Sequence, residues 1–146
     1  MSEEEVPAGR IAVLGGTDWT DQAFARLWIK RLGAVGRDVL VMVDDDPFDL
    51  QRVVLRQCKC SGVPVVMFHL PTTSGRGAVQ ARQARDGKML ELAGTVFVFG
   101  ALAANRMVTV LAAAEESGLR VWQKRMGKIC AEPEWIVLAS KVGMKL

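Results

Sequence analysis

The chain has 146 residues, half of them apolar and about a quarter charged, with a net charge of +3. That length suits one domain with a sizeable core, and no apolar run approaches the ~20 residues needed to cross a bilayer. Three cysteines (Cys58, Cys60, Cys130) and one histidine, His69, support neither a disulfide framework nor a zinc site, so a cytoplasmic setting is expected.

Residues 1–9 read as a flexible acidic leader and residues 10–146 as one domain. The leader lacks the apolar centre of a secretory signal. Ile11, Ala12, Val13 and Leu14 form a short continuous apolar run, the pattern of a parallel strand covered on both faces. Gly15 and Gly16 then permit a tight turn and close approach of another group. Asp18 or Thr20 can cap the next helix, whose apolar face is Phe24, Leu27, Trp28 and Leu32. A second buried strand at 39–43 ends in Asp44, Asp45 and Asp46, then Pro47. An acid just before that proline can cap a helix reaching about Cys60. Ser61 and Gly62 stop it, and 63–68 reads as a third strand. Residues 69–77 form an irregular loop, 78–92 a helix carrying Arg82 and Arg85, and 95–99 a fourth strand. Gly100 turns into an alanine-rich helix at 102–117, followed by a fifth strand at 119–123. The segment around Trp135 adds an edge strand or a packing arm. Regular alternation of strand and helix predicts a three-layer α/β sandwich with a mostly parallel sheet of five or six strands.

Ligands of such sheets gather beyond the carboxyl ends of the strands. The candidate ligand-binding residues are therefore Gly15, Gly16, Thr17 and Asp18, the loop residues Thr72, Thr73, Ser74, Gly75 and Arg76, with Arg85 and Gly100. Asp18 has two readings, a contact to a ribose or base and a plain helix cap. Asp44, Asp45 and Asp46 are either a solvated helix entry or ligands for a divalent cation such as Mg²⁺ beside a nucleotide. Neither Gly-x-Gly-x-x-Gly nor Gly-x-x-x-x-Gly-Lys-Ser/Thr occurs, which argues against a standard dinucleotide dehydrogenase or nucleoside triphosphatase. No nucleophile–base pair is recognisable, so the pocket reads as binding rather than catalytic.

The turn Gly15-Gly16-Thr17-Asp18-Trp19-Thr20-Asp21 resembles the first-strand signature of the YspA-like branch of the SLOG superfamily. Arg85-Asp86-Gly87-Lys88-Met89 resembles that branch's Arg-Asn-x-x-Met segment, with aspartate in place of asparagine. The resemblance spans about 10–122 and implies a Rossmann-like fold that binds a nucleotide or nucleotide-derived ligand. Two glycine-rich loops of the family are replaced here, one by Asp44-Asp45-Asp46-Pro47-Phe48-Asp49 and one by Gly100-Ala101-Leu102-Ala103-Ala104-Asn105. Carboxylates repel phosphate where exposed amides would attract it. The superfamily's LOG phosphoribohydrolases carry a catalytic arginine and glutamate around Pro-Gly-Gly-x-Gly-Thr; that pattern has no counterpart here, so their hydrolase activity is not expected to carry over.

Two other readings stand beside this one. The chain can be an interaction module that has kept the fold, lost the ligand and forms a homo-oligomer through the 102–117 helix or the Trp135 segment. It can also bind nucleic acid through a basic stretch that begins at Arg120 and includes Lys124, Arg125, Lys128, Lys141 and Lys145.

Overall fold

The computed structural model describes residues 9–15, 18–34, 38–70, 77–124 and 135–137. Among the described residues six strands and four helices alternate. They are β1 (Gly9–Gly15), α1 (Gln22–Ala34), β2 (Val39–Asp44), α2 (Asp49–Ser61) and β3 (Val65–Phe68), then α3 (Ala78–Leu92), β4 (Thr95–Phe99), α4 (Ala104–Ser117), β5 (Arg120–Lys124) and β6 (Trp135–Val137). The sheet order is β3-β2-β1-β4-β5-β6. Every pairing is parallel except that of β5 with β6. The architecture is a Rossmann-like three-layer sandwich, as the alternation predicts. The order reverses between β1 and β4, which makes their carboxyl ends the switch point.

Strand alternation divides the core into two layers. On one face Ile11, Val13, Val41, Val43, Phe97 and Phe99 pack against Trp28, Ile29 and Leu32 of α1 and Leu50, Val54 and Cys58 of α2. On the other face Ala12, Leu14, Met42, Val96, Val98 and Val121 meet Met89 and Leu90 of α3 and Val110 and Ala114 of α4. A strand buried on both sides must be apolar throughout, which is why β1 and β4 read as unbroken apolar runs. Trp28 packs against Phe97 with ring centroids 4.7 Å apart.

Several expectations shift by a turn. The α1 cap is Asp21, not Asp18 or Thr20: its Oδ1 accepts the Phe24 N–H at 3.0 Å. Leu27, expected on the buried face of α1, is 57 % exposed because Trp28 and Ile29 turn inward instead. Phe48 is the N-cap of α2, so the acids before Pro47 are released for another use. Gly62, at φ 68°, closes α2 in the left-handed region that glycine enters at least cost. Among the described residues no helix is long and apolar enough to cross a membrane.

Candidate functional site

Of the acidic run that ends β2, Asp44 and Asp46 are buried and only Asp45 is partly exposed. Asp44 occupies the last position of β2, on the face that Met42 shares with α3 and α4, and its side chain is fully buried. Two arginines from those helices reach the same place. From α4, Arg106 donates through Nη2 to Asp44 Oδ2 at 2.6 Å, through Nε to Asp86 Oδ2 at 2.7 Å and through Nη1 to Asp46 Oδ2 at 3.3 Å. From α3, Arg85 donates through Nη1 to Asp45 Oδ1 at 2.8 Å and Asp46 Oδ1 at 2.9 Å, and through Nε to Asp86 Oδ1 at 3.2 Å. Its Nη2 stands 3.2 Å from Asp86 Oδ1 as an ion pair without hydrogen-bonding geometry. The result is one cluster that joins β2, α3 and α4.

The cluster carries a formal charge of −2, four carboxylates (Asp44, Asp45, Asp46, Asp86) less two guanidiniums (Arg85, Arg106). Burial raises the Asp44 pKa, against the pull of the Arg106 guanidinium. Burial also acts to raise Asp45, but the Leu70 N–H and the Arg85 guanidinium outweigh it and hold that carboxyl below its usual value. Both arginines are held more firmly protonated: burial opposes the charge, and the surrounding carboxylates overcome it. Asp45 is the solvent-facing member, with Leu70 N–H at 2.9 Å and His69 Nδ1 at 3.6 Å on its Oδ2.

Gln51 of α2 links this cluster to the turn after β1. Its Nε2 donates to Asp44 Oδ1 at 2.9 Å and to the Gly15 carbonyl at 3.0 Å, while its buried Oε1 accepts no hydrogen bond from the described residues. Gly15 abuts the Phe99 carbonyl so closely that a Cβ there would overlap it. Asp18 Oδ1 accepts the Ala101 N–H at 3.0 Å, tying the β1 turn to the loop after β4, and a Cβ on Gly100 would fall on that same oxygen. Trp19 fills the corner above Phe99, edge-on at 5.1 Å between centroids. Its indole N–H donates to the Asp21 carbonyl at 2.9 Å.

The structure thus brings together five of the residues singled out from the sequence: Gly15 and Asp44, Asp45 and Asp46 with Arg85. Asp18 and Gly100 form a second group across β1 and β4. Gly16, Thr17, Thr72, Thr73, Ser74, Gly75 and Arg76 lie outside the described residues. Sequence reading missed Gln51, Asp86 and Arg106. The signal for Asp86 was its place beside Arg85; for Arg106 it was a lone cation in an otherwise uncharged stretch of α4. As arranged, the three acids after β2 spend their oxygens on guanidinium and N–H donors and do not fit a divalent cation. Among the described residues no group of three or more His, Cys, Asp or Glu suits a metal.

Two further features lie outside this site. A shallow depression of 570 Å³ at the amino-terminal strand ends is lined by Gly9, Arg10, Asp38, Val39, Leu40, Gly62 and Pro64, on the opposite rim of the sheet from the charged cluster. Cys58 is buried, and burial pushes its thiol up to about 12, whereas Cys60 is exposed; they face different sides of α2, as their spacing predicts.

No protein-family model, curated protein or solved structure matches the chain. The family resemblance therefore rests on the residues of the β1 turn and of α3 alone.

Proposed function

We propose that this chain is a divergent SLOG-like domain that binds a nucleotide or nucleotide-derived ligand over the carboxyl ends of β1, β2 and β4. One observation carries the reading: six charged groups are gathered at the switch edge of the sheet, four of them with side chains no more than 5 % exposed. Packed apolar residues stabilise such a position at least as well as buried ion pairs do, because desolvation offsets much of the Coulomb attraction. Concentrated, pKa-shifted charge at a ligand-binding edge is the usual mark of a site. The unpartnered Gln51 Oε1 and the acidic excess favour hydrogen-bond donors, namely ribose hydroxyls and the amino groups of a base. They disfavour phosphate at this end of the cleft.

The test is a thermal melt of the full chain with a panel of nucleosides and nucleotides, with and without Mg²⁺. A ligand at about a hundredfold its dissociation constant stabilises by ~2.7 kcal/mol and raises the midpoint by several degrees. Asp45→Asn, at the solvent-facing edge, is expected to weaken that response. A panel with no response in any condition rejects the proposal.

A second reading, an interaction module without a ligand, draws on a different observation. Val108, on the outer side of α4, is 66 % exposed among alanines. Sedimentation decides it, since a monomer at all concentrations removes the interface that reading requires.

A further inference from the structure

Lys124 ends β5 and is buried, 6 % exposed. Its Nζ lies over the Phe24 ring of α1, 5.7 Å from the centroid. Ion pairs join the other buried cations, Arg85 and Arg106, to carboxylates, but none among the described residues involves Lys124. An ammonium whose neighbour among the described residues is a ring face keeps most of its capacity to bind an anion, because a ring quadrupole neutralises no charge. The surroundings sharpen that capacity. Phe24, Trp19 and Phe99 form an aromatic wall beside it, and against such apolar surface a charge acts more strongly than in open water.

Its place in the sheet gives the ammonium a purpose. Lys124 pairs in register with Phe99, and Phe99 with Gly15, so all three stand on one rung at the carboxyl rim. Gly100 donates its N–H to the Lys124 carbonyl at 2.8 Å, which fixes the β5 end against the β4 turn. The order β2-β1-β4-β5 separates the acidic cluster from Lys124 by three strand spacings, roughly 14 Å. The rim thus carries the acidic cluster at β2 on the α3 and α4 side and the Lys124 ammonium at β5 on the α1 side, with Gly15, Gly100 and the Asp18 carboxylate between them.

We infer that Lys124 is an anion subsite that takes a phosphate or pyrophosphate group. On the reading that a nucleotide lies along this rim, its sugar and base face the acidic cluster and its phosphate chain reaches β5. Shared chemistry leaves two sources, a phosphate carried by a nucleoside and free inorganic phosphate, and the experiment separates them. Inorganic pyrophosphate is titrated calorimetrically into the full chain, into Lys124→Met and into Lys124→Arg; nucleosides and their diphosphates are titrated in parallel.

Wild type is expected to bind pyrophosphate. Lys124→Met, which keeps the packing on Phe24, should weaken binding about tenfold or more, and Lys124→Arg should restore most of it. The variant should leave nucleoside affinity unchanged while lowering that of the diphosphate. Pyrophosphate that fails to bind wild type, or binds Lys124→Met equally in a variant with a normal melt, overturns the subsite. Pyrophosphate bound through Lys124 with no nucleoside bound anywhere leaves the subsite standing and rejects the nucleotide reading.

Discussion

Arg106 is the residue on which most of the site's charge converges, since it donates to three separate carboxylates, Asp44, Asp46 and Asp86. Arg106→Met would leave all three partly desolvated with a guanidinium removed. Stability at neutral pH should fall by about 3–5 kcal/mol, the range for breaking a buried pair from one side, measured by urea denaturation. Asp45 gives a pH signature. Its folded pKa lies below the unfolded value of 3.8, so its contribution is present above that value and is lost as pH falls through the folded one. The stability difference between wild type and Asp45→Asn should therefore be full above 3.8 and shrink as pH falls below it, read from denaturation midpoints across the acid range. Asp44 opposes it: its raised pKa makes the folded state favour the proton, a contribution present below 3.8 and lost as pH rises through the higher folded value.

At the scale of elements, capping was the part least legible in advance. Asp18, Thr20 and Asp21 are near-equivalent on sequence, and only the backbone path decides which oxygen meets the Phe24 N–H. Asp21→Ala should cost about 1 kcal/mol and fray the start of α1, detected as faster amide exchange in its first turn. The strands and helices themselves were plain, because unbroken apolar runs and helical spacing are local properties of the sequence. The charged cluster was not. Asp44, Asp45 and Asp46 were visible as a run, but their partners come from positions about 40 and 60 residues away, and no local pattern encodes that meeting. Arg85 was singled out as a ligand contact, yet its guanidinium is already engaged by three of the protein's own carboxylates.

At the scale of the whole molecule, β1 and β4 form the centre, buried on both faces with paired neighbours on both edges. β3 sits at an edge with half-covered residues, and Val66 is 40 % exposed. Amide hydrogen exchange should be slowest in β1 and β4 and fastest among the strands in β3, by orders of magnitude under native conditions. Uniform protection across the sheet would contradict this division of the core.

The bridge from Asp44 to Arg106 also sets an order of events when the polypeptide is made. As synthesis proceeds from the amino terminus, β1, α1 and β2 are made before α4, so Asp44 at first lacks the guanidinium it pairs with. A nascent chain cut short before Arg106 sets Arg85 alone against the four carboxylates of the cluster. The arrival of α4, the last helix among the described residues, supplies the second guanidinium and with it the link that ties β2 to α3 and α4.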